Sequence, residues 1–209
     1  MIETALGTSI AFTAPHRLAT KAGFDILEGG GTAVEAMVAA AAQIAVVYPH
    51  MNSIGGDGFW LIKKRGQSPV AISACGSAAQ QATPEWYDKK GYKSSLPTRG
   101  PLAALTVPGT IAGWKLALEL DNPKRAVPLN ELLSAAIEKA KSGVAVTKNQ
   151  HETLAAKKHQ LVSVSGFKDF YFDKGHEPDV GSKLLQTKLG ETLENLGRAG
   201  LDDFYTGEI

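Results

Sequence analysis

The first part of the chain carries two apolar patterns of helical period. Apolar residues recur every three or four positions over residues 16–28, which predicts an amphipathic helix that Gly29 ends. Residues 32–47 are almost entirely alanine, valine, methionine and isoleucine, and they predict a second helix that is buried on all sides. Tyr48 ends this helix because the residue before a proline is biased away from helical geometry. The glycines between the two helices therefore indicate a helix-to-helix turn rather than a phosphate-binding loop, which would follow a strand.

A β-hairpin and a series of helices are predicted next. Residues 58–63 and 69–74 are typical of two strands joined by a turn at residues 65–68, and residues 84–101 indicate a polar loop. Further helices are predicted near residues 111–118, 128–142, 149–160 and 182–196. This order predicts a layered α/β core, with residues 1–209 forming a portion of a single domain. About residues 1–110 contribute the sheet, and about residues 111–209 are mostly helical.

Composition and charge exclude several classes of function. The 209 residues are 44% hydrophobic, which is enough for one sizeable core, and the formal net charge is +1. No run of like charge exceeds a few residues, so we expect no nucleic-acid partner and no anionic membrane. Cys75 is the only cysteine, which excludes an internal disulfide and a thiolate metal cluster, and the five histidines lack metal-ligand spacing. We therefore expect neither a metal nor another cofactor.

The amino terminus bears on the location of the protein. Residues 1–4 lack the positive charge and the long apolar run of a signal peptide, and no apolar stretch is long enough to span a bilayer. The sequence favours a cytoplasmic protein, or a periplasmic one if an export signal has been removed.

Seven blocks rich in glycine, proline and aromatic residues occur in a fixed order. Three lie near the amino terminus, and the others include Val107-Pro108-Gly109 before a helix and a Phe-Tyr-Thr-Gly stretch near the end of the chain. The blocks lie at residues 14–23, 27–36, 52–59, 106–114, 127–146, 181–189 and 203–209. In this order they resemble the γ-glutamyltransferase family, and the resemblance covers essentially the whole chain.

The resemblance implies a fold and a mechanism. The family fold is the αββα sandwich of the N-terminal-nucleophile hydrolases, and its members are proenzymes that cut themselves into a large and a small subunit. The catalytic threonine is the first residue of the small subunit and attacks an amide carbonyl to form an acyl-enzyme. This chain is similar to part of the large subunit, so the implied partner is a small subunit from the same proenzyme. No catalytic residue is expected within this chain.

The chain departs from the family pattern after the second predicted strand. Where the family has an arginine that holds the α-carboxylate of a γ-glutamyl substrate, this chain has Cys75, followed by Gly76. A thiol cannot form the two-pronged bond that a guanidinium makes with a carboxylate. The resemblance therefore implies another amide, such as oxamate, with Cys75 and Gly76 beside the substrate. Three alternatives stay open: a γ-glutamyl transferase or hydrolase acting on glutathione, a cephalosporin-acylase-like amidase, and a non-catalytic relative.

Three smaller hypotheses concern single residues. Arg99 is a candidate for the missing cation, against the alternative of a solvated loop arginine. Cys75 is favoured as a small buried filler, because cysteine is among the most buried residue types, although its place beside the expected pocket keeps a substrate-side role open. The turn Gly55-Gly56-Asp57 either serves turn geometry or brings backbone close to the active site.

Overall fold

Two packed helices begin the part of the chain that the structure describes. The structure is a computed structural model and describes residues 6–104, 106–121 and 127–209. Helix α1 (Arg17–Glu28) ends at Gly29, as predicted, and Gly30 has a φ of 89°, in the left-handed region that favours glycine. Helix α2 (Ala33–Val47) follows and packs against α1. The glycine run is thus a helix-to-helix turn, which confirms that prediction.

The prediction that α2 is buried on all sides is wrong. Most of its residues are buried, but one stripe of apolar side chains is open or half-buried, and Met37 is 45% exposed. The stripe consists of Ala33, Met37, Ala41 and Ile44. These positions are spaced by three or four residues and therefore share one face of the helix. Within the described ranges, no segment covers that face.

The predicted hairpin is present and packs on helices through one face. Strand β1 (Gly58–Ile62) pairs antiparallel with strand β2 (Val70–Ala74), with Trp60 opposite Ile72. Side chains alternate between the two faces of a strand. The inner face holds Trp60 and Ile72 against the helices, whereas Phe59 and Leu61 on the outer face are 74% and 77% exposed.

The rest of the chain is mostly helical. Its α-helices and strands are α3 (Pro84–Lys89), α4 (Thr110–Asp121), α5 (Leu129–Ser142), β3 (Val144–Ala145), α6 (Lys148–Lys157), α7 (Phe167–Tyr171), β4 (Lys183–Leu184), α8 (Thr187–Ala199) and α9 (Asp203–Thr206). The predicted helices are confirmed in α4, α5, α6 and α8. Helix α3 lies in the segment predicted to be a loop, where Thr83 caps it and proline occupies its first position. Strands β3 and β4 form a second, very short antiparallel pair.

Helix α2 lies at the centre of the core. It contacts α1, α4 and α5, and α5 in turn packs on α8. The fully buried side chains Trp114, Leu132 and Leu193 come from three different helices of this layer. Among the helices within residues 6–104, 106–121 and 127–209, none has both the length and the hydropathy needed to cross a lipid bilayer.

Candidate functional site

The turn at residues 55–57 is fixed to the amino terminus of helix α4. The Gly56 carbonyl accepts hydrogen bonds from Gly109 N and Thr110 N, each at 2.9 Å, and from the Thr110 hydroxyl at 2.8 Å. Backbone N–H groups at the start of a helix have no acceptor within the helix. The carbonyl of this turn supplies one, so the conformation of the glycine turn depends on the first turn of α4.

The end of strand β2 lies against the same helix start with almost no space between the backbones. A Cβ atom on Gly109 would lie 2.1 Å from Ala74 O, and a Cβ on Gly76 would lie 1.6 Å from Val107 O. Real Cβ atoms never approach so closely, so only glycine fits at both positions. The close approach explains why positions 76 and 109 are glycine, and it places Gly56 and Gly76 on two sides of one helix terminus.

Cys75 and Gly76 line a small pocket beside this helix terminus. Its volume is about 460 Å³, and none of the described residues that line it is charged. They are Ile72, Ser73, Ala74, Cys75, Gly76, Ser77, Val107, Pro108, Gly109, Ala112, Gly113, Leu116 and Tyr205. Cys75 is exposed, so the prediction of a buried filler is wrong. The side chain of Ala74, the last residue of β2, is buried in the core, whereas Cys75, which follows directly after the strand, is open to solvent.

Gly56 and Asp57 line a different and larger groove. This groove has a volume of about 930 Å³ and runs between strand β1 and the open stripe of α2, with Met37 and Phe59 among its lining residues. Asp57 is exposed and is the only carboxylate that lines it among the described residues. The turn at residues 55–57 and the segment Cys75–Gly76 therefore both contact the start of α4 through their backbones. Their side chains line separate depressions.

Arg99 is not brought to either depression by the described part of the chain. It is exposed, its guanidinium donates a hydrogen bond to Gln160 Oε1 at 2.9 Å, and it lines neither the pocket of Cys75 nor the groove of Asp57. Its role as a substrate-binding cation stays a prediction.

Tyr205 is a residue of the site that the sequence analysis missed. Its hydroxyl donates to Pro108 O at 2.8 Å, accepts from Ala112 N at 3.0 Å, and lines the pocket of Cys75. The ion pair between Lys115 and Asp202, 2.7 Å apart, fastens the same segment to α4 and raises the pKa of Lys115, first through the hydrogen bond to Asp202. The signal in the sequence was the joint presence of the Val-Pro-Gly and Phe-Tyr-Thr-Gly blocks, but nothing local indicates that they touch.

The glycine contacts at this site join the sequence blocks that the family resemblance rests on. The sequence model of the gamma-glutamyltranspeptidase family matches residues 19–209. The chain belongs to this family. Its predicted fold class, an α/β fold of the N-terminal-nucleophile hydrolase type, is confirmed by likeness to solved structures of the family. The crystal structure of the Helicobacter pylori gamma-glutamyltranspeptidase superposes with a TM-score of 0.84 at 31% identity, covering 100% of this chain and 58% of that chain.

Two relatives within the family are named for different substrates. The oxamate amidohydrolase proenzyme of Klebsiella pneumoniae is 47% identical over 198 residues, which is 94% of this chain and 37% of that protein. The glutathione hydrolase proenzyme of Escherichia coli is 32% identical over 193 residues, which is 91% of this chain and 33% of that protein. The chain therefore spans about a third of the length of these relatives, both of which are named as hydrolase proenzymes.

Proposed function

We propose that this chain is the large-subunit portion of a self-processing amidohydrolase, with residues 1–209 forming part of a single domain. The proenzyme names of both relatives support this proposal, as does the small share of their length that the chain covers. The catalytic threonine belongs to a separate small subunit of the same proenzyme, and this chain supplies no catalytic residue and is inactive alone.

The exposed apolar surfaces support a partner of this kind. The stripe of α2 around Met37 and the outer face of the hairpin at Phe59 and Leu61 are large apolar surfaces, which monomeric soluble proteins rarely leave open together. The edge of β1 beside the α2 stripe has no strand partner in the described ranges. The remainder of the proenzyme is the occupant proposed for this groove, because it would cover the apolar stripe and pair with the open strand edge.

The proposed chemistry is acyl transfer to water. The threonine hydroxyl attacks the amide carbonyl while its own α-amino group takes the proton, and that proton then passes to the departing amine. Backbone N–H groups stabilise the oxyanion in each half-reaction. Water next hydrolyses the ester, which restores the free hydroxyl and releases the carboxylic acid. With oxamate as substrate, the products are ammonia and oxalate.

The substrate proposed is a small acid amide of the oxamate kind. The observation that carries this choice is the 47% identity to the oxamate amidohydrolase proenzyme, against 32% to the Escherichia coli glutathione hydrolase proenzyme. Glutathione, cephalosporin-type amides and loss of catalysis remain the competing outcomes.

The deciding experiment uses the purified full-length protein. Intact mass and amino-terminal sequencing are expected to find two fragments, the second beginning with threonine. The processed protein is then assayed with oxamate, a γ-glutamyl anilide and a cephalosporin side-chain amide, and kcat/KM is expected to be highest for oxamate. A single uncut chain would overturn the enzymatic proposal, whereas a preference for the γ-glutamyl anilide would overturn the substrate class alone.

Arg99 is proposed to bind the carboxylate of such an anionic substrate once the protein is complete. Replacing Arg99 with alanine is expected to raise KM for oxamate about tenfold with little change in kcat, since a charge-assisted bond is lost in the ground state and the transition state alike. Arg198→Ala is the matched control, because Arg198 is also exposed and also donates to a side-chain amide, that of Asn195. An equal KM for the two variants would exclude this role for Arg99.

A further inference from the structure

The hydroxyl of Tyr205 binds the first turn of helix α4. The first hydrogen bond within this helix runs from Gly113 N to Gly109 O, so Ala112 N is a donor without an acceptor in the helix. The Tyr205 hydroxyl supplies that acceptor, since Ala112 N donates to it at 3.0 Å, and the same hydroxyl donates to Pro108 O at 2.8 Å. A side chain from α9, near the other end of the sequence, thus completes the first turn of α4.

The residues next to this bridge contact both the turn at residues 55–57 and the end of strand β2. Gly109 N and Thr110 N lie between Pro108 and Ala112 in sequence, and both donate to Gly56 O. Gly109 also lies against Ala74, directly before Cys75, with no room for a Cβ atom. A shift of the first turn of α4 therefore moves the turn at residues 55–57 and the end of strand β2 together.

The segment that presents Tyr205 is itself fastened independently of the hydroxyl. Phe204 packs against the hydrophobic core, and Asp202 forms the ion pair with Lys115 on α4. The ring of Tyr205 is 39% exposed and lines the pocket of Cys75 and Gly76. Removing the hydroxyl alone therefore leaves α9 docked and tests the bridge by itself.

We propose that Tyr205 is a positioning residue: its hydroxyl fixes the first turn of α4 and thereby sets the geometry of the Gly56 turn and of the Cys75–Gly76 pocket. The kinetic consequence of this proposal rests on the proposed amidohydrolase function, whereas its structural consequence does not. Tyr205 has no part in bond making or breaking. Its effect is on how well the pocket is formed before substrate arrives.

The test compares Tyr205→Phe with Tyr87→Phe in the full-length protein. Tyr87 is the matched control because its buried hydroxyl also donates to a backbone carbonyl, that of Leu102, but lines neither of the two depressions at α4. Hydrogen exchange, followed by mass spectrometry, is expected to be at least about tenfold faster in Tyr205→Phe for peptides covering residues 54–58 and 107–113, and unchanged there in Tyr87→Phe.

Kinetics separate positioning from a general loss of stability. For the amide substrate that the wild type hydrolyses best, Tyr205→Phe is expected to raise KM about tenfold and to change kcat less than about twofold, while Tyr87→Phe changes neither. Unchanged exchange at residues 54–58 would overturn the proposal, and so would faster exchange with an unchanged KM. If the wild type hydrolyses no amide, the proposed function fails. The exchange rate at residues 54–58 alone then decides whether Tyr205 orders the turn at residues 55–57.

Discussion

Replacing Gly76 with alanine is expected to lower the melting temperature of the full-length protein by about 5 °C, equivalent to a loss of roughly 3 kcal/mol. The added Cβ atom would lie 1.6 Å from Val107 O and 2.5 Å from Val107 C. Both are backbone atoms, so no side-chain rotation relieves the overlap and one of the two segments must move.

The consequences of that movement extend beyond the glycine. Val107 N donates to Ser77 O at 3.0 Å, and Ala78 forms a β-bridge with Thr106. These contacts join the two ends of the segment that leaves the core after residue 78 and returns to it at residue 106. Separating Gly76 from Val107 weakens them and displaces Gly109 from Ala74, which disturbs the pocket of Cys75 as well as stability.

The control for this prediction is Gly56→Ala in the same protein. A Cβ on Gly56 would meet no atom within 4 Å, and its φ is not in the left-handed region. Its melting temperature is therefore expected to stay within about 1 °C of the wild type, since alanine at an unstrained position restricts the unfolded chain without a clash. A Gly76→Ala variant as stable as Gly56→Ala would show that the backbones are not in contact.

The elements that could be predicted from the sequence are those specified by neighbouring residues. Helix α1, its end at Gly29 and the hairpin follow from spacing and turn residues that lie within a few positions of each other. Helix α3 is not predicted because it is only six residues long and the polar residues that surround its cap, Thr83, are equally typical of a loop.

The errors arise where a side chain's environment depends on distant parts of the fold. The composition of α2 indicates burial, but whether Met37 is covered depends on which segments reach that face. The residue type of Cys75 favours burial, yet the chain leaves strand β2 at Ala74 and Cys75 is exposed. The bridge from Tyr205 to Pro108 joins residues 97 positions apart, and no local pattern encodes such a contact.

Replacing Glu35 with alanine is expected to destabilise the full-length protein by about 3 kcal/mol, which again corresponds to about 5 °C in melting temperature. Glu35 is 1% exposed, and its carboxylate accepts hydrogen bonds from Thr32 N at 2.8 Å and from Val127 N at 3.1 Å. The first bond completes a capping box at the start of α2, and the second ties α2 to the residue that precedes the α5 region.

Alanine removes the acceptor of both N–H groups, and a buried donor without an acceptor costs more than the bond itself contributes. Glu35→Gln is expected to fall between alanine and the wild type, because one amide oxygen still accepts a hydrogen bond but the charge at the helix amino terminus is lost. Glu131→Ala is the control: Glu131 occupies the same third position in α5, but it is exposed and that helix has no side-chain cap.

Thermal unfolding measures the loss of stability in each of the three variants. Equal losses for Glu35→Ala and Glu131→Ala would mean that only the helix dipole is involved, whereas a much larger loss for Glu35→Ala identifies the buried carboxylate as the link between the centre of the core and its neighbouring segments.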